Sequence, residues 1–262
     1  IAPGQGSQTP GMLNSWVADP ELKNLLLSWS DAIGLDLLSL GTTADADEIK
    51  DTANAQPLIV AASLLGSHAL GIANCAVTSG HSVGELAAAA ISGAINESDA
   101  LKLVRARGVE MAKAASAHPA GMSAVLGGER AEVLAAIAQL NLVAANDNGA
   151  GQIVAAGELS SLATLGENPP AGARVRALAV AGAFHTSFMA PAVEPLRELA
   201  STLVTHPVSI QVISNKDGQV VSDGAEVLNR IVNQIANPVR WDLCMETLKS
   251  LGVTGVIELP PA

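Results

Sequence analysis

The sequence predicts an α/β protein: a large domain with a parallel-sheet core, and a small domain inserted into it. Three observations carry that prediction. The 262 residues are 49% hydrophobic but only 2% aromatic, with no Tyr, so Ala, Leu, Val and Ile must fill the core, which suits helices layered on a buried sheet. Towards both ends of the chain, short apolar runs alternate with longer segments of helical period. From about Gly121 the rhythm changes to strand, helix, strand, strand, helix, strand.

In chain order, "IAPGQGSQTPGM" gives a short apolar run and then a glycine-rich polar stretch, the pattern of a first strand opening onto a functional loop. "ELKNLLLSWSDAIG" and "QPLIVAASLLGSHALG" place apolar residues at helical spacing and close on a glycine suited to a C-cap. "NCAVTSG" reads as a short buried strand and "VGELAAAAISGA" as a helix. "ESDALKLVRARGVEMAKAAS" reads as a second helix, opened near Glu97 or Ser98.

The middle segment then supplies "GMSAVLGG", "RAEVLAAIAQL", "LVAANDN", "GQIVAAG", "LSSLATLGEN" and "ARVRALAV" in the order βαββαβ, a ferredoxin-like module. Beyond it, "HTSFMAPAVEPLRELAS" is expected to be a helix and "VSIQVISN" a strand. "AEVLNRIVNQI" and "VRWDLCMETLKSL" are expected to be helices, and "GVIEL" a last strand. The expected division is a discontinuous large domain of residues 1–118 and 182–262, with a small domain at 119–181.

The bulk numbers bound the partners. A net charge of −11 argues against nucleic acid or an anionic membrane, while leaving room for a local basic patch. Two cysteines, Cys75 and Cys244, make neither a disulfide framework nor a zinc spacing, so no metal is expected and a reducing cytoplasm is. No apolar run approaches the ~18 residues of a membrane span, and no basic-then-apolar leader is seen. The opening on Ile1 and the close on "VIELPPA" read as the limits of a core.

Within "TSGHSVGELAAAA", Gly80-His81-Ser82-Val83-Gly84 has the nucleophile-elbow pattern, in which a strand turns into a helix so tightly that only small residues fit beside the serine. The large domain is therefore expected to be α/β-hydrolase-like. Such a turn pushes the hydroxyl outward and aims the first helical N–H groups beside it, with Val83 as the natural first oxyanion donor. Short glycine-rich turns match this pattern by chance as well. The strand before and the helix after favour the elbow.

A serine needs a base. His81 is adjacent, but at a tight bend its side chain should point away from that of Ser82. His68 at a helix end and His206 before Pro207 read as surface or capping residues, and His118-Pro119 as part of an interdomain linker. His185, in "GAFHTSF", stands out because it lies where the chain re-enters the large domain, at the start of a helix.

Four motifs, "PGQGSQ" at 3–8, "GHSVGE" at 80–85, "GAFHT" at 182–186 and "NPVRW" at 237–241, occur in the order found in malonyl-CoA:acyl-carrier-protein transacylases of bacterial fatty-acid synthesis. The sequence resembles that family over nearly its whole length. The acyltransferase domains of polyketide synthases are similar too and form the near alternative. One departure is "LPPA", where the family usually has a glycine-proline-glycine turn; it touches the C-terminal loop and no site residue.

The resemblance implies that Ser82 is acylated from malonyl-CoA and that His185 acts as its base, then as the acid for the leaving thiol. It implies that the main-chain carbonyl of Gln234 orients the histidine, and that the N–H of Gln5 joins that of Val83 in the oxyanion hole. Arg107 would pair with the malonyl carboxylate. A guanidinium offers two parallel donors where lysine offers one mobile charge. Arg105 and Arg107 point about 200° apart on a helix, so one of them at most faces the site, and the resemblance selects Arg107.

Phe184 would restrict the α-substituent and so favour malonyl. Asn148, with Asn146, would line the cleft from the small domain, although Asn-Asp-Asn-Gly is equally a good turn. The implied partner is an acidic acyl carrier protein, whose phosphopantetheine thiol accepts the group, with Lys102, Lys113, Arg174 and Arg176 as candidate contacts. No cofactor is implied.

Two other readings compete. A serine thioesterase or esterase also uses an elbow, but typically follows it with an Asp and a late histidine and has no need of Arg107. A non-enzymatic docking scaffold is disfavoured by the presence of Ser82, His185 and Arg107 together.

Overall fold

The computed structural model describes residues 1–72 and 75–261. They form an α/β fold with two mixed sheets. The expected first strand shrinks to one parallel bridge: Ala2 N–H donates to Ser79 O and His81 N–H to Ala2 O, each at 2.9 Å. Helix α1 (Pro20–Ile33) begins where the Asp19 carboxylate accepts the N–H groups of Glu21 and Leu22, and ends on Gly34 in the left-handed region. Helices α2 (Leu37–Thr42) and α3 (Thr52–Leu70) follow. Every residue of α3 from Ala55 to Gly66 is buried, so its surface is apolar all round rather than striped.

Strand β1 (Val77–Ser79) leads into α4 (Gly84–Ile91) and α5 (Glu97–Ser116). The cap of α5 is Asn96 rather than Glu97 or Ser98, because its side-chain oxygen reaches the Asp99 N–H three residues on. Part of the expected "NCAVTSG" strand, Asn74, lies outside the described residues.

The middle segment gives β2 (Ala120–Gly127), α6 (Arg130–Gln139), β3 (Val143–Gly149), β4 (Gln152–Glu158), α7 (Leu159–Glu167) and β5 (Ala173–Ala177), in the expected βαββαβ order. The spatial order is β5-β2-β4-β3, with antiparallel neighbours throughout. Alternation sorts the side chains of this sheet. Val125, Ile153 and Ala155 pack with Val133 and Ile137 of α6 and Leu162 and Leu165 of α7. Met122, Ala124 and Val154 face the other way, into a cleft.

The remaining elements are α8 (Ala190–Ser201), β6 (Gln211–Ile213), β7 (Val220–Val221), α9 (Gly224–Gln234), β8 (Val239–Arg240) and α10 (Trp241–Ser250). Strand β6 lies parallel to β1 and antiparallel to β7, whereas β8 pairs parallel with β3 and so joins the other sheet. Three expectations change here. His185 precedes its helix: a 3-10 turn at Ser187–Met189, capped by Thr186, comes before α8. "VRW" splits, because Val239 and Arg240 are strand and the helix starts at Trp241.

"GVIEL" forms no regular strand. Instead the Ile1 amino group donates to Ile257 O at 2.7 Å and Leu259 N–H to Ile1 O at 2.9 Å. Pro3, two residues beyond Ile1, has no N–H with which to continue that ladder.

Candidate active site

Gly80 to Gly84 turn the chain from β1 into α4, and both glycines are forced. A Cβ on Gly80 would sit 2.0 Å from the Gly84 carbonyl carbon, and one on Gly84 would sit 2.4 Å from the Ala2 oxygen. Ser82 between them has φ 52°, a left-handed conformation that costs a side-chain-bearing residue energy and points its hydroxyl out of the turn. Asn215, after β6, braces the bend: its Oδ1 accepts the Ser82 N–H at 2.8 Å and its Nδ2 donates to Gly80 O at 2.8 Å. Among the described residues, neither the Val83 N–H nor the Gln5 N–H donates to a protein acceptor.

His81 points away from the serine. Its Nε2 meets Asn148 Oδ1 at 2.9 Å, and its ring packs edge-on against Trp241. The imidazole facing Ser82 is that of His185, with Nε2 2.7 Å from Oγ. On the far side of that ring, Nδ1 lies 2.9 Å from the Gln234 main-chain oxygen. A carbonyl only accepts, so Nδ1 carries the proton, Nε2 is the acceptor and the serine hydroxyl donates. His185 also has a left-handed φ, 62°, and its N–H is held by Ile235 O. Burial, reinforced by the Arg107 charge, lowers its pKa to about 3, so it is a neutral base across the physiological range.

Arg107 of α5 is 1% exposed. Its two terminal nitrogens donate to Gln56 Oε1 at 2.7 Å and to Gln234 Oε1 at 2.9 Å, and its Nε has no partner among the described residues. Burial brings its pKa down to about 10, which leaves it charged at neutral pH. Two amide oxygens hold a fork that would equally meet two carboxylate oxygens. Gln56 stands at the edge of the cleft, with its Nε2 on Gln5 Oε1 at 3.3 Å.

The cleft itself, of about 210 Å³, is lined by Gln5, Gln56, Ser82, His185 and Phe184 on one side. Met122, Ala124, Asn146 and Asn148 line it from the second sheet. A serine activated by a neutral imidazole, at the mouth of a half-apolar cleft with a buried guanidinium behind it, is equipped for acyl transfer involving an acid-bearing acyl group.

The acyl transferase domain family matches residues 1–262, the whole chain. The chain belongs to the acyl transferase domain family. It is 52% identical over 267 residues to the malonyl CoA-acyl carrier protein transacylase of Mycobacterium tuberculosis, covering 100% of this chain and 88% of that one. A crystal structure of MCAT from the same organism superposes with a TM-score of 0.97, covering 100% of this chain and 88% of that one. A type II PKS acyl-carrier protein in complex with its malonyl-transacylase is similar at 30% identity and a TM-score of 0.89, over 96% of this chain and 84% of that one.

In this acyl transferase, Ser82, His185, Gln5, Phe184, Asn146 and Asn148 meet at one cleft, with Val83, Arg107 and Gln234 directly behind it. Two of the four expected surface cations do not stand free. Lys102 pairs with Asp99 and Lys113 with Glu110, each three residues back on α5, a spacing already visible in the sequence. Arg174 and Arg176 on β5 are exposed and make no ion pair among the described residues.

Sequence reasoning missed Glu85, Asn215, Gln56 and the side chain of Gln234. All four are buried polar residues, and the signal that could have found Glu85 is a charged residue amid the alanines of "GELAAAA". Among the described residues there is no metal-binding cluster of three His, Cys, Asp or Glu, and no helix is long and apolar enough to cross a membrane.

Proposed function

We infer that this protein transfers the malonyl group from malonyl-CoA to the phosphopantetheine thiol of an acyl carrier protein through a malonyl-Ser82 intermediate, supplying fatty-acid synthesis. The observation that carries the reading is that one residue, Gln234, touches both the Ser82–His185 pair and the buried Arg107. The relatives named for malonyl transfer, one of them seen with its carrier protein, support the substrate and the partner.

In the first half-reaction the Ser82 hydroxyl gives its proton to His185 Nε2 as Oγ attacks the thioester carbonyl. The oxyanion forms next to the Val83 and Gln5 N–H groups, at the positive end of α4. Collapse breaks the C–S bond, and His185 returns the proton to the departing CoA sulfur. The second half-reaction runs the same steps backwards with the carrier thiol: His185 takes its proton, sulfur attacks the malonyl ester, and Oγ leaves and is reprotonated. Thiolate is a good leaving group, which is why a main-chain carbonyl behind His185 suffices where an amide-cleaving site uses a carboxylate.

Arg107 holds the malonyl carboxylate once its amide partners yield, and Phe184 walls off the α-carbon. Arg174 and Arg176 offer uncompensated positive charge to an acidic carrier. The fold reading is an α/β-hydrolase-like domain of residues 1–118 and 182–262 with a ferredoxin-like insertion at 119–181, supported by the β5-β2-β4-β3 order of the inserted strands. The free thiols Cys75 and Cys244 suit a cytoplasmic setting.

Incubation with malonyl-CoA and carrier protein separates the transferase from a thioesterase. Carrier-bound malonyl should exceed free malonate, and free malonate alone would contradict the reading.

A further inference from the structure

Glu85 is 2% exposed and sits on α4, one turn from Ser82, inside a closed set of polar groups. One carboxylate oxygen accepts the Asn215 backbone N–H, and the other accepts Gln234 Nε2 at 2.6 Å. Each partner passes the constraint on. Asn215 Oδ1 holds the Ser82 N–H and also receives Gln234 Nε2 at 3.2 Å, while Gln234 Nε2 touches the Ser82 carbonyl oxygen at 3.1 Å. With its NH₂ drawn towards these acceptors, Gln234 turns its Oε1 to Arg107 and keeps its backbone oxygen on His185. Three functional positions therefore hang on one carboxylate.

We propose that Glu85 is a positioning residue of the malonyl-transfer site: as a carboxylate it holds Asn215 and Gln234, and through them the Ser82 elbow, the carbonyl on His185 and the amide oxygen on Arg107. The proposal rests on the malonyl-transfer reading above. It accounts for a charged residue kept in the apolar face of α4, where an isolated carboxylate is costly. The groups that face it are Arg107 of α5 and Arg230 and Gln234 of α9, together with Asn215 and the Cys244 thiol of α10. The thiol is pushed up to about 12 by burial and stays protonated.

Burial raises the Glu85 carboxyl to about 7, against the bonds from Asn215 and Gln234 and the charges of Arg107 and Arg230. Protonation within the neutral range removes an acceptor site, so a carboxylic acid in this place no longer holds both donors. His185, at about 3, does not titrate there. The acid limb of acyl transfer then belongs to Glu85.

The test is the rate of Ser82 acylation against pH for wild type, Glu85→Gln and Arg107→Gln, using malonyl-CoA and also acetyl-CoA, which lacks the carboxylate. Wild type should slow about tenfold per pH unit below about 7 with either thioester, the slope of one essential ionisation. Glu85→Gln should be at least about tenfold slower at pH 8 and flat across that window. Arg107→Gln, assayed with acetyl-CoA, should move the limb to higher pH, because a cation that favours the carboxylate is gone.

An unchanged limb in folded Glu85→Gln overturns the proposal. Should that variant not fold, an unmoved limb in Arg107→Gln overturns it equally. Absence of any Ser82 adduct in wild type at every pH overturns the transferase reading itself, an outcome distinct from an adduct whose pH dependence ignores Glu85.

Discussion

Ser82 Oγ lies 2.7 Å from Nε2 of His185, a residue 103 positions further along the chain, while the neighbouring His81 turns to Asn148. The pairing fixes a first prediction. His185→Ala should lower the rate of Ser82 acylation by about 10²- to 10⁴-fold, the usual contribution of a positioned base. His81→Ala should fold less stably and lose far less activity. Single-turnover loading followed by mass spectrometry measures both, and a larger loss in His81→Ala would reverse the assignment.

Burial of His185 also has a stability signature. Its folded pKa of about 3 lies below the unfolded value near 6.5, so the unfolded chain takes up a proton that the fold refuses, and stability is lost as pH falls below 6.5. At pH 5 that amounts to about 2 kcal/mol. Urea denaturation of wild type and His185→Asn at pH 7.5 and 5 isolates it: the wild type should lose about 2 kcal/mol more than the variant, with the contribution of Glu85 cancelling between them.

The elbow glycines tolerate nothing larger. Gly80→Ala would put its methyl group against the backbone of Gly84 and Glu85, and Gly84→Ala against Ala2 and Pro3. Each should cost at least about 3 kcal/mol, since backbone has no rotamer with which to yield. Thermal melts check this, and a melting point equal to wild type in either variant would show that the turn has room for a methyl group.

Selectivity should divide between two residues. Arg107→Ala should lower kcat/KM for malonyl-CoA about 10- to 100-fold, the worth of charge-assisted bonds to one carboxylate, and should shift loading towards acetyl-CoA. Phe184→Ser should raise use of methylmalonyl-CoA relative to malonyl-CoA by opening the wall beside the α-carbon. Competition between the thioesters reads both ratios, and unchanged ratios would remove these residues from the recognition of the acyl group.

The elements of this fold were legible where a local pattern carried them. Apolar period placed α1, α3 and α5, strand signals placed β2 to β5, and the glycines around Ser82 announced the elbow because steric exclusion acts between residues four apart. Pairing across the chain was not legible. Whether "GVIEL" could extend a ladder depended on Pro3, and whether "VRW" was strand or helix depended on β3, both more than 90 residues away in sequence. The brace of Glu85, Asn215 and Gln234 was not legible either: the charge amid the alanines of "GELAAAA" marks Glu85 but not its partners, because a buried amide or carboxylate is satisfied by whatever the tertiary fold brings to it. The resemblance named Gln234 for its backbone oxygen alone, and its side chain turned out to bind Arg107 as well.

The most direct measurement is the intact mass of the protein after brief exposure to malonyl-CoA, with peptide mapping of any adduct, followed by addition of carrier protein. Wild type should gain one malonyl group, located on Ser82, which disappears from the enzyme as it appears on the carrier, and Ser82→Ala should gain none. A malonyl group on any other residue, or an adduct that persists undiminished on Ser82→Ala, would contradict it.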